Sequence, residues 1–76
     1  MKRIGMVLHL SNSGKLVLRT KHEERVGVKV LNDELKIVGT IVDVFGPVDR
    51  PYASVRPVTH DPETYVGKFL YVLEKS

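Results

Sequence analysis

Residues 36–57 read KIVGTIVDVFGPVDRPYASVRP. An apolar run from Ile37 to Phe45 leads into Gly46-Pro47. A short step, Val48-Asp49-Arg50, follows, and the chain resumes at Pro51 and stops at Pro57. β-Branched residues dominate the first half, which favours a strand over a helix. Proline cannot donate to a ladder, so Pro47 ends one strand and Pro51 opens the next. The stretch predicts two strands joined by a tight loop. Both faces of the first strand are apolar, with Ile37, Gly39, Ile41 and Phe45 on one parity and Val38, Val42 and Val44 on the other. A small antiparallel barrel needs only one apolar face per strand, because the other meets water. Either the second face is an exposed patch for a partner, or both faces enter one core, with a bulge near Asp43 shifting the register. So short a chain has little room for two apolar layers, which favours the patch.

Upstream, Ile4, Met6, Leu8 and Leu10 alternate with Gly5, Val7 and His9. Period two predicts a strand with the even positions turned inward. Ser11-Asn12-Ser13-Gly14 is turn chemistry, and Lys15 to Thr20 alternates again with Leu16 and Leu18 on one face. Lys21 to Arg25 is a polar connection. Val26, Val28 and Val30 predict a short third strand, and Leu31 to Leu35 contains a turn. Beyond Pro57, Val58 to Thr64 reads as a loop in which Asp61 caps a single helical turn with Pro62 at its first position. Val66 to Leu73 predicts the last strand, with Phe69, Tyr71 and Leu73 on one face, and Glu74-Lys75-Ser76 is a polar tail. Phe45 and Phe69 fit the core, whereas Tyr52 points outward. No internal repeat is evident. Six short strands without a long helix make residues 1–76 a single domain, an all-β, small six-stranded antiparallel β-barrel whose closure removes exposed edges.

Composition narrows the function. A chain of 76 residues supports one small core, and domains of this size often add a disulfide, a metal or a partner. With no cysteine, disulfides and thiolate metal sites are excluded. His9, His22 and His60 have no ligand spacing, so no metal or cofactor is expected. The lack of cysteine and of a long apolar run fits a cytoplasmic protein. The start, MKRIGMVLHLSNSG, has a basic end and a short apolar stretch, but its strand-like alternation argues against a signal peptide. Net charge is +3, and Lys2, Arg3, Lys15, Arg19 and Lys21 precede the first acid, Glu23. A basic first hairpin follows, with Lys15, Arg19 and Lys21 as candidates for contact with RNA or an acidic partner.

Catalysis finds no support. The glycines are dispersed, no cysteine nucleophile exists, and Ser11, Ser13 and Ser54 have no evident base. His60 and Asp61 fit a solvated loop and a structural cap. No catalytic residue is assigned, and an enzyme is not expected. The apolar patch around Pro47, Val48, Pro51, Tyr52 and Pro57, edged by Asp49, Arg50 and Arg56, has the composition of a protein contact. The expected partner surface comprises Phe45, Gly46, Pro47, Val48, Pro51, Tyr52, Val55 and Pro57. The alternative place for Phe45 and Val55 is the core that shapes this surface.

Taken together, Val38-Gly39, Phe45-Gly46-Pro47, Tyr52 and Val55-Arg56-Pro57 resemble the signature of the glycine–arginine-rich (Gar) core subunit of the H/ACA ribonucleoproteins. Val66-Gly67-Lys68 followed by Phe69-Leu70-Tyr71 is similar to the family's last strand, so the likeness spans nearly the whole chain. The resemblance implies a six-stranded barrel that binds the catalytic subunit of an RNA-guided pseudouridine synthase. Such a subunit docks away from the guide RNA, engages a mobile loop of the synthase, and assists substrate loading and turnover in ribosome biogenesis. It is not itself the catalyst. The chain has no Gly/Arg-rich tail of the kind that binds RNA in eukaryotic members, and is similar to the compact archaeal form. Ala53 departs from the pattern, standing where a larger aromatic is common. The rival reading is a small basic barrel that binds RNA directly through its first hairpin.

Overall fold

The computed structural model describes residues 2–21 and 24–73. The connection expected at Lys21 to Arg25 therefore lies partly outside the described residues, and the tail from Glu74 wholly so. Six strands form: β1 (Lys2–Leu10), β2 (Leu16–Thr20), β3 (Lys29–Leu31), β4 (Ile37–Phe45), β5 (Tyr52–Pro57) and β6 (Phe69–Val72). They close into an antiparallel barrel in the order β1-β2-β5-β4-β3-β6. One 3₁₀ turn, Pro62–Tyr65, precedes β6. No helix among the described residues is long and apolar enough to cross a membrane.

The turns are made as their residues dictate. The Gly14 N–H donates to the Ser11 carbonyl with Gly14 at φ +83°, and the Ser11 hydroxyl accepts from the Lys15 N–H at 3.1 Å. The Asn32 side-chain oxygen accepts from the N–H groups of Glu34 and Lys36, folding the chain between β3 and β4. At the 3₁₀ turn Pro62 holds the first position, but Asp61 contributes its carbonyl to Thr64 and not a side-chain cap.

β1, β2, β4 and β5 lie where alternation placed them, β6 is confined to Phe69–Val72 because Val66 and Gly67 turn the chain out of the 3₁₀ segment, and several faces differ from expectation. In β1 the register slips between Arg3 and Gly5 against β6, and between Val7 and His9 against β2. Each slip inserts one residue and reverses parity. The even-inward expectation holds at Ile4, which is buried, and at Leu10, which packs on the core, but fails between them, where Val7 is buried and Met6 and Leu8 are exposed. The same happens in β4, which slips at Val38 against β3 and at Val42 against β5. Val38 and Ile41 are fully buried and Val44 packs on the core. The bulge beside Asp43 is thus real, and most of the second apolar face enters the single core. Of the apolar residues of β4, only Ile37 and Phe45, at its opposite ends, stay substantially exposed. Phe45 and Phe69 do not fill the core either. The barrel interior is packed by branched aliphatics such as Leu16, Leu18, Ile41 and Leu70, and both phenylalanines lie outside. In β3 the strand proper is Lys29–Leu31, and Val26 is exposed.

The matching slips reveal an internal symmetry. Exchanging β1, β2 and β3 for β4, β5 and β6 leaves the strand order unchanged. Ile4-Gly5 corresponds to Val38-Gly39, Val7 to Ile41, and Leu10 to Val44. Leu70 pairs with Gly5 as Val30 pairs with Gly39. The two halves therefore match in strand order and bulge position, although their sequences do not read as a repeat. The two glycines share a role. A Cβ on Gly5 would run into the Arg19 carbonyl oxygen, and one on Gly39 into that of Arg56. The neighbouring strand crosses so closely that only glycine fits.

Gly39→Ala is expected to lower the melting temperature by more than about 10 °C, because the clash is with backbone. Gly14→Ala, at a position with positive φ but open space, should cost only about 1 kcal/mol, or about 4–8 °C. Thermal melts of both variants measure the difference.

Candidate functional site

The β4–β5 loop is held at both ends. At its start Gly46 adopts φ +93°, and a Cβ there would sit 2.8 Å from the Tyr52 ring. Tyr52 lies against this bare backbone and stacks on Phe45, with ring centroids 5.5 Å apart and planes inclined by 20°. At its end Pro51 is buried, and its carbonyl accepts both the Thr20 N–H at 2.8 Å and the Thr20 hydroxyl at 3.1 Å. The loop thus projects from a fixed base. Pro47 is exposed and Val48 is 92% exposed.

The eight residues expected at a partner surface therefore separate. Phe45, Pro47, Val48 and Tyr52 present surface. Gly46 and Pro51 set the loop beneath them. Val55 is fully buried in the core and Pro57 is half-buried opposite Gly39, so both act from behind the surface. The signature residues form two cross-strand clusters on β4 and β5: Phe45, Gly46 and Tyr52 at one end, Gly39 beneath Arg56 and Pro57 at the other.

Tyr52 also belongs to a longer row. Phe69, Met6, Arg19, Tyr52 and Phe45 are successive register partners across β6, β1, β2, β5 and β4. All five face outward, and at the usual strand spacing the row spans about 20 Å. The Arg19 guanidinium lies over the Tyr52 ring at 5.1 Å, and that of Arg3 over Phe69 at 4.4 Å. Each contact is worth about 0.5–1 kcal/mol at an exposed site, enough to bias the arginine rotamer. Of the basic candidates, Arg19 belongs to this row and Lys21 stands beside it with Arg3 and Arg50. Lys15 is at the far end of β2 and does not join them. Arg3, Met6 and Phe69 are not among the site residues expected from the sequence, and Arg50 is expected only at the edge of the apolar patch. The parity of β1 and the closure of β6 onto it bring in the first three, the β4–β5 loop brings in Arg50, and this convergence is not visible in local pattern. Among the described residues no group of three or more His, Asp or Glu side chains is placed to hold a metal ion.

Similarity to other proteins points to the archaea. An uncharacterized protein of Methanothermobacter thermautotrophicus is 36% identical over 76 aligned residues, covering 95% of this chain and 83% of the relative. The chain belongs to the same family as this archaeal protein. A second uncharacterized relative, from Methanocaldococcus jannaschii, is 40% identical over 57 residues, covering 75% of this chain and 69% of its own. No family model matches the chain.

The loop geometry separates exposure from support. Val48→Asp should change stability by no more than about 0.5 kcal/mol, because the side chain touches almost nothing. Gly46→Ala combines left-handed strain with the Tyr52 clash and is expected to cost about 2 kcal/mol or more. Urea unfolding midpoints of the two variants measure this.

Proposed function

We propose that the chain is a non-catalytic accessory subunit of an archaeal H/ACA-type guide ribonucleoprotein, working in the cytoplasm. It binds the catalytic pseudouridine synthase subunit and promotes substrate loading and turnover during RNA-guided pseudouridylation of ribosomal RNA. The observation that carries this reading is the way the Gar-like signature maps onto the barrel. Phe45, Gly46 and Tyr52 form one stacked unit, and the loop they support offers Pro47 and Val48 to a partner. Rigid apolar groups on an anchored loop lose little entropy on docking. Burial of so exposed a valine beside two stacked rings suits a protein interface. The archaeal origin of both relatives agrees with this reading.

Calorimetric titration of the chain into an archaeal synthase subunit tests it. The expected result is a saturable 1:1 complex that Val48→Asp weakens by about 10-fold or more, as for an interface anchor. The combined Pro47→Ala, Tyr52→Ala variant should weaken it further. Wild-type affinity in both variants would remove the loop from the interface, and no complex with wild type would remove the function.

A further inference from the structure

Beside the docking loop lies a groove assembled from residues remote in sequence. Arg3 of β1, Arg19 and Lys21 at the end of β2, and Arg50 of the β4–β5 loop line an open groove of about 600 Å³. Met6 and Phe69 supply apolar lining, and no carboxylate is among the described residues that line it. Two of the cations are mounted on rings, Arg3 on Phe69 and Arg19 on Tyr52.

We propose that this groove binds single-stranded nucleic acid, with Arg3, Arg19, Lys21 and Arg50 on the phosphates and Phe69 and the ring-mounted guanidinium groups beneath the bases. The inference does not depend on the docking role. Four cations, with no carboxylate among the described residues lining the groove, select a polyanion. Aromatic rings and guanidinium planes are the surfaces on which unpaired bases stack, whatever their sequence. An acidic polypeptide would share the charge but not the stacking. It is further disfavoured because the barrel is closed and offers no strand edge for main-chain pairing. The part of the row that lines the groove, Phe69, Met6 and Arg19, runs across three strands, giving an extended nucleic-acid strand successive contacts along its length.

Fluorescence anisotropy of the full chain with a labelled oligouridine of about 12 nucleotides tests the proposal. Engagement of all four cations predicts a salt slope near −3, so affinity falls about 50-fold between about 50 and 200 mM salt. The combined Arg3→Gln, Arg19→Gln variant should reduce the slope by about 1.4. Phe69→Leu should weaken binding at least about 5-fold with the slope unchanged. Oligothymidine separates the sources: equal binding assigns stacking and phosphate alone, and tighter RNA binding adds the 2′-hydroxyl. No saturable binding at low salt would overturn the proposal. So would unaltered binding by the arginine variant at an unaltered melting temperature, or duplex bound as tightly as single strand. Displacement by polyglutamate together with indifference to Phe69→Leu would assign the groove to an acidic polypeptide instead.

Discussion

Two backbone crossings govern this molecule. The carbonyl oxygens of Arg19 and Arg56 lie so close over Gly5 and Gly39 that no side chain fits beneath them. Six short strands close a tube only if the long ones bend sharply, and β1 and β4 bend where these glycines sit beside inserted residues. The bend decides which side chains go in. It sends Ile4, Val7, Val38 and Ile41 to the centre, and it turns Met6 and Leu8 outward. The core, the outward row and the groove all follow from the same curvature.

The number of strands and their turns were legible because they are local properties. Alternation marks β1 and β2, Ser11 to Gly14 and Asn32 carry their own hydrogen bonds, and the prolines at 47 and 51 bracket a loop. Inward and outward faces were less legible, because a bulge adds one residue without any distinctive residue type at Leu8 or Val42. Hydrophobic rank misled at Phe45 and Phe69. A six-stranded barrel is narrow, and its interior takes branched aliphatics more readily than rings. The outward position of Tyr52 was readable from its parity in β5. Its relation to Arg19 needed the β2–β5 pairing, which joins residues far apart in the chain.

The exposed apolar loop is a liability for a domain with so small a core, and the fold limits the damage locally. Thr20 fixes Pro51 by two hydrogen bonds, while Tyr52 covers the bare backbone of Gly46 and stacks on Phe45. The loop can then present Pro47 and Val48 without relying on them for stability. Arg19 and Arg3 shield one face of each ring they cover, reducing the apolar area that meets water while leaving the charge outside.

The pairing of β6 with β1 has a meaning for the chain as it emerges from the ribosome. The first strand made waits for the last, so the cylinder cannot shut until Val72 has left the exit tunnel. Synthesis at about 5–20 residues per second leaves that seam open for seconds. Lys2 and Arg3 stand at the start of the waiting strand, and charge on an open seam discourages another nascent chain from pairing there. The basic end of β1 thus guards the open seam before the barrel exists.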